Sequence, residues 1–223
     1  MTNLSQRIAE LERQIAQLES QLPAHSVKPW MLQRLEDLEE ELAQLKQQAA
    51  ERPIRAAYWV EPGCFLAGEY PGRPEPHLMR QRLTAFLRLG FDTFIDLTGE
   101  GEREPYFPIL KTEGRDYGLD VTHHRFSVGD FGLPRRKQMA EILDTVDSAL
   151  AAGRKVYLHC WAGVGRTGMA VGCHLVQRGL SGDQALARLA EFFKTAEQSL
   201  YYPQSPETAA QVKFIRDWRE TLP

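Results

Sequence analysis

One stretch confines the fold of this chain more than any other. Val156-Tyr157-Leu158-His159 is an apolar strand that delivers Cys160; Trp161-Ala162-Gly163-Val164-Gly165 follows, and Arg166-Thr167 opens a helix. A strand, a five-residue loop with two glycines and a helix start can hold a tetrahedral oxyanion. The N–H groups of the loop and of the helix N-terminus converge, and the helix dipole favours negative charge. The same field favours a thiolate, so Cys160 is the candidate nucleophile. Arg166 can grip two phosphate oxygens with its planar fork. Gly163 and Gly165 let the backbone turn without a side chain in the way.

His-Cys, five residues, Arg-Thr resembles the signature of the protein tyrosine phosphatase superfamily. "HCWAGVGRTG" is similar to its dual-specificity branch, especially bacterial-type members. The resemblance covers about Arg55 to Pro223. It implies a central mixed sheet flanked by helices, a phosphocysteine intermediate on Cys160, and oxyanion binding by Arg166 and the N–H groups of Trp161, Ala162, Gly163, Val164, Gly165 and Arg166. It implies that Thr167 hydrogen-bonds the sulfur and that the general acid sits on a loop upstream of the cysteine. Asp130, in Gly129-Asp130-Phe131-Gly132-Leu133-Pro134, fits that place. An acid on such a loop can close over substrate and exclude water. His159 is expected to orient the loop rather than move a proton. Asp-Phe-Gly also occurs in kinases, but no kinase glycine-rich loop or catalytic-loop motif accompanies it.

The other acids read as caps or solvated surface. Asp96, Glu100, Glu102 and Glu104 follow a strand, and Asp116 and Asp120 lack the loop context of Asp130. Gln211 resembles the glutamine that aids water attack in tyrosine-specific relatives, and Gln204 and Glu207 compete for that role. Ser205-Pro206-Glu207 equally reads as a helix start. Cys64 and Cys173 are candidates for a protective disulfide with oxidised Cys160, against the plainer reading of buried, inert thiols. Three cysteines without zinc-type spacing point to a reducing compartment. No cofactor or metal is called for.

Residues 1–52 are organised differently. Leu4, Ile8, Leu11, Ile15, Leu18 and Leu22 alternate steps of four and three, as do Met31, Leu35, Leu38, Leu42, Leu45 and Ala49. These are heptad positions of amphipathic helices, broken between Pro23 and Pro29. Isoleucine at a and leucine at d favour a parallel homodimer, in which Arg34 faces Glu39 and Glu41 faces Lys46. An intrachain hairpin is the alternative. The expected division is a coiled-coil extension over 1–52 and a catalytic domain over 53–223.

Beyond Arg52-Pro53 strands alternate with helices. Strands are expected at 58–60, 65–67, 93–97, 121–126 and 156–159, and helices at 76–89, 138–151, 167–178, 182–195 and 206–220. That order implies an α/β layer fold. Residues 1–52 hold six Lys/Arg against nine Asp/Glu, which accounts for the whole net charge of −3. No basic face remains to suggest nucleic acid or an anionic membrane. No secretory signal or membrane-length apolar run is evident, so the expected place is the cytoplasm. The loop adds no lysine beside Trp161, Ala162 and Val164, which argues against highly charged inositol phosphates. The expected substrate is a phosphorylated protein, through phosphotyrosine and through phosphoserine or phosphothreonine. A small-molecule phosphatase acting on a sugar or nucleotide phosphate, or a phosphoprotein-binding scaffold, is the alternative.

Overall fold

The computed structural model describes residues 4–22 and 28–219, so the expected break at Pro23 lies outside the described residues. The side chains of Leu4 and Ala49 also lie outside them. The chain divides into two compact units, 1–51 and 52–223.

The first unit is a pair of helices, α1 (Leu4–Ser20) and α2 (Pro29–Ala50), which pack on one another. Leu11, Met31 and Leu38 are buried. Two of the charges expected to meet a parallel partner, Glu41 and Lys46, are engaged inside the chain. Arg7 contacts Glu41 at 2.6 Å, and Lys46 contacts Glu12 at 2.8 Å. The structure thus shows the intrachain hairpin rather than the parallel seam. A partner helix tethered by residues 21–28 has a far higher effective concentration than a second molecule.

The second unit is the expected α/β fold. Its elements are β1 (Ala57–Glu61), β2 (Phe65–Gly68), α3 (Pro76–Arg88), β3 (Thr93–Asp96), α4 (Phe107–Asp116), β4 (Thr122–Arg125), α5 (Arg136–Ala151), β5 (Val156–His159), α6 (Gly165–Gln177), α7 (Gly182–Lys194), a 3-10 turn (Glu197–Leu200) and α8 (Ala209–Arg216). The five strands form one mixed sheet in the order β1-β2-β5-β3-β4. Only β1 runs antiparallel to its neighbour. β2, β3 and β5 are buried along their whole length, as strands covered on both faces must be.

The period-two alternation of these strands builds two cores. Phe65, Ala67, Ile95, Val156 and Leu158 face Met139, Ile142, Val146, Met169 and Leu189 of α5, α6 and α7. Leu66, Phe94 and Tyr157 face Leu83, Phe86 and Leu87 of α3 and Leu110 of α4. The central strand β5 delivers Cys160 at the carboxyl end of the parallel strands. Ligands of parallel α/β sheets bind at such a carboxyl end.

Three local readings are corrected. α4 was not expected, because its first turn is Phe107-Pro108-Ile109 with no capping side chain. The 3-10 turn was not expected either. The last helix begins at Ala209 rather than 206. Thr208 caps it by accepting from Gln211 N–H, and the Gln211 side chain accepts from Thr208 N–H.

Candidate active site

Cys160 leaves the end of β5 and is 2% exposed. The loop after it is held from outside by its carbonyls. Tyr70 N–H donates to Trp161 O at 2.8 Å, the Gln198 amide to Ala162 O at 3.2 Å, and Ser205 Oγ to Val164 O at 2.8 Å. Gly163 takes φ +74°, and a Cβ there would lie 2.4 Å from the Gly68 carbonyl carbon. Only glycine fits. With the carbonyls turned outward, the N–H groups turn inward. None of the seven from Trp161 to Thr167 finds an acceptor among the described residues. The last four are the open N–H groups of a helix start, and with the three loop N–H groups before them they form a cradle for an anion.

Arg166, also 2% exposed, reaches into this cradle from the first turn of α6. Glu102 grips it with both oxygens, Oε2 to Nη1 at 2.9 Å and Oε1 to Nη2 at 2.8 Å. Nη1 also donates to Val128 O at 3.0 Å. Asp130 Oδ1 lies 3.0 Å from Nη2. Nε is buried and has no partner among the described residues. A phosphate in the cradle would take Nε and replace Asp130 on Nη2, while Glu102 keeps the guanidinium in plane.

Sequence reasoning missed Glu102. Its carboxyl is held below the usual range by the Arg166 hydrogen bonds, and Gly99 N–H donates to it at 2.7 Å. The available signal was a run of acids just after β3, the strand beside β5. The structure brings Cys160, Arg166 and Asp130 around one cavity of about 420 Å³.

The other candidates fall elsewhere. Asp96 is buried and bonded to Arg125 at 2.8 Å and to Thr98 at 2.6 Å. Burial works against its ionisation, yet the His159 charge and the hydrogen bonds of His123 and Thr98 hold it below the usual carboxylate range. Asp120 precedes β4, at the opposite end of the parallel sheet from Cys160. Thr167 Oγ1 donates to Gly68 O at 3.3 Å. That proton ties the loop to β2 and is not aimed at the sulfur as expected. His159 is fully buried against Tyr106 Oη at 2.7 Å, and burial lowers its pKa to about 4.

Gln211 is buried by its capping duty, and its amide also donates to Gly132 O at 3.4 Å. Glu207 does line the cavity. Its Oε2 lies 3.2 Å from where a Cβ on Gly165 would sit, and burial, then Asp130, raises its pKa. Cys173 is enclosed in α6, where burial pushes its thiol up.

Parts of this sequence and its fold are shared with known proteins. The sequence pattern of the family described as "Polymorphic toxin system, DSP-PTPase phosphatase" matches residues 81–180, which include Asp130, Cys160 and Arg166. The chain is 28% identical over 184 residues to protein tyrosine phosphatase domain-containing protein 1 of Mus musculus, covering 77% of this chain and 23% of that protein. It is 27% identical over 134 residues to cyclin-dependent kinase inhibitor 3 of Sus scrofa, covering 59% of this chain and 58% of that one. The chain thus spans under two thirds of the length of each. The fold is similar to the crystal structure of Tk-PTP in the active form, with TM-score 0.56 and 24% identity, over 75% of this chain and 98% of that one.

Proposed function

Because the chain carries a dual-specificity protein tyrosine phosphatase-like domain, we propose that it is a cysteine-dependent phosphomonoester hydrolase acting on phosphorylated protein through a phosphocysteine. The observation that carries this reading is the run of seven unpaired N–H groups around Cys160, completed by the unpaired Nε of Arg166.

In the first step the Cys160 thiolate attacks phosphorus in line with the ester oxygen. The S–P bond forms as the P–O bond breaks, and Asp130 gives its proton to the departing oxygen. The three non-bridging oxygens flatten into the trigonal transition state. There the loop N–H groups and Arg166 meet them best, which is where donors lower the barrier. In the second step water attacks the phosphocysteine, Asp130 takes the water proton, and phosphate leaves with the thiolate restored. Thr167 supports this geometry by tying the loop to Gly68, and no metal or cofactor enters.

The catalytic part is assigned to residues 53–223 and the helical extension to 1–52, with self-association through the extension proposed on the heptad pattern. No helix among the described residues is long and apolar enough to cross a membrane. The cytoplasm is the proposed compartment, on an odd number of cysteines without zinc-type spacing.

Cys160→Ser tests the reading. Turnover of p-nitrophenyl phosphate should vanish while phosphate-ester binding persists, since oxygen binding belongs to Arg166 and the backbone. Near-native turnover in that variant would end the nucleophile assignment. Binding without turnover in the unaltered protein would favour a phosphoprotein-binding scaffold.

A further inference from the structure

The mouth of the cavity differs in chemistry from its floor. Among the exposed large apolar side chains of residues 52–219, Phe131, Trp161 and Tyr201 line this one opening, at 59%, 50% and 77% exposure. Leu200, 76% exposed, adjoins Tyr201. Aromatic groups held this far into solvent around a catalytic pit mark a surface that another molecule covers.

The charges at the mouth identify that molecule. Each cation there already has a contact, with a carboxylate or with an aromatic ring. Arg73 contacts Glu69 at 3.1 Å, and the Arg103 guanidinium lies 3.7 Å above the Trp161 ring. Deeper in, Arg166 holds Glu102 and Asp130. Glu197, in the 3-10 turn, and Glu207, before α8, also line the cavity. Neither carboxylate has a cation within 4 Å among the described residues. Glu207 sits beside Gly165 at the cradle, and Glu197 stands farther out on the exposed rim. A ligand with several phosphates would bring its extra charge against these two carboxylates. A ligand with one phosphate and a neighbouring cation would pair with them.

We propose that the mouth docks a polypeptide carrying lysine or arginine beside its phosphorylated residue, with Glu197 and Glu207 receiving the cation and Phe131, Trp161 and Tyr201 covering the intervening chain. The proposal rests on the phosphatase reading above and narrows its substrate. One phosphate enters the cradle. The basic residue lies along the edge built by the 3-10 turn and the segment before α8. The exposed aromatics bury the backbone between them, and polyphosphorylated small molecules are disfavoured by charge.

The test measures kcat/KM of the full chain on phosphotyrosine peptides alike except for Lys/Arg or Asp/Glu beside the phosphoresidue. Inositol hexakisphosphate is assayed alongside, and p-nitrophenyl phosphate serves as the control. The basic peptide should be favoured roughly three- to tenfold at low salt, the scale of one or two exposed ion pairs. The preference should shrink at about 0.5 M salt. Glu197→Lys should erase or invert the ratio of the two peptides, a readout that compares substrates within one enzyme. Control turnover with equal or reversed peptide preference overturns the docking proposal alone. So does faster turnover of the inositol polyphosphate than of either peptide. Absence of any Cys160-dependent turnover, control included, overturns the phosphatase reading and the docking proposal with it.

Discussion

Arg166 is surrounded by more carboxylate than one guanidinium needs, and the two carboxylates do different work. Glu102 is bidentate and fixes the plane of the fork, whereas Asp130 makes one contact at 3.0 Å on the nitrogen that phosphate must use. Glu102→Gln keeps the shape but loses a charged hydrogen-bond pair, so kcat/KM for p-nitrophenyl phosphate should fall about 10- to 100-fold. An unchanged value would reduce Glu102 to a surface residue. Asp130→Asn should slow alkyl and peptide phosphates by about 10²–10⁴-fold and activated aryl esters far less. The same variant should bind inorganic phosphate more tightly, since a competing charge leaves Nη2. If both ester types slow equally, the acid is another group, and Glu207 is next in line because Asp96 is locked to Arg125 and Thr98. Cys160, Arg166 and their glycines were legible because the demands on them are local. Glu102 was not, because it meets Arg166 only through tertiary packing, across 64 positions of sequence.

At the scale of elements, β5 and its neighbours were readable from apolar runs bounded by turns, and α5 and α7 from amphipathic spacing. α4 was hidden by its uncapped, proline-containing start. The beginning of α8 was misplaced because Pro206 suits a first helical turn, while the capping box at Thr208 and Gln211 decides the boundary. β5 also carries a titratable group with a predictable cost. His159, the last residue of β5, is buried against Tyr106 and Tyr157, and burial lowers its pKa from 6.5 to about 4. The folded protein therefore holds it neutral, while the unfolded chain protonates it near pH 6.5. Stability is full above that pH and declines as pH falls towards 4, by about 3 kcal/mol for this group alone. Thermal melts across that window should show the decline, and His159→Asn, though less stable, should show a flatter one. Parallel slopes for the two proteins would mean that His159 does not carry the acid sensitivity.

For the whole molecule, the heptads of residues 1–52 were legible but their partner was not, because one apolar stripe serves a second chain or a second segment of the same chain. The structure forms the hairpin, but the hairpin leaves part of the stripe uncovered. Leu11, Met31 and Leu38 are buried, whereas Ile8, Ile15, Leu18, Leu35, Leu42 and Leu45 are only half-buried. Two helices cannot enclose a seam on both sides; four can, which is why short amphipathic helices settle as bundles. A homodimer would then be a pairing of hairpins rather than a parallel zipper. Arg7–Glu41 and Glu12–Lys46 stay within each chain. Sedimentation at about 10 µM, where modest association shows, should give a dimer for the full chain. A form beginning at residue 53 should be a monomer with unchanged turnover of p-nitrophenyl phosphate, because Asp130, Cys160 and Arg166 all lie beyond it. Replacing Ile15 and Leu42 by lysine should release the dimer to monomers, since both are half-buried positions that a second hairpin would cover. A full chain that sediments as a monomer would show that the hairpin alone satisfies the stripe, and self-association through residues 1–52 would be abandoned.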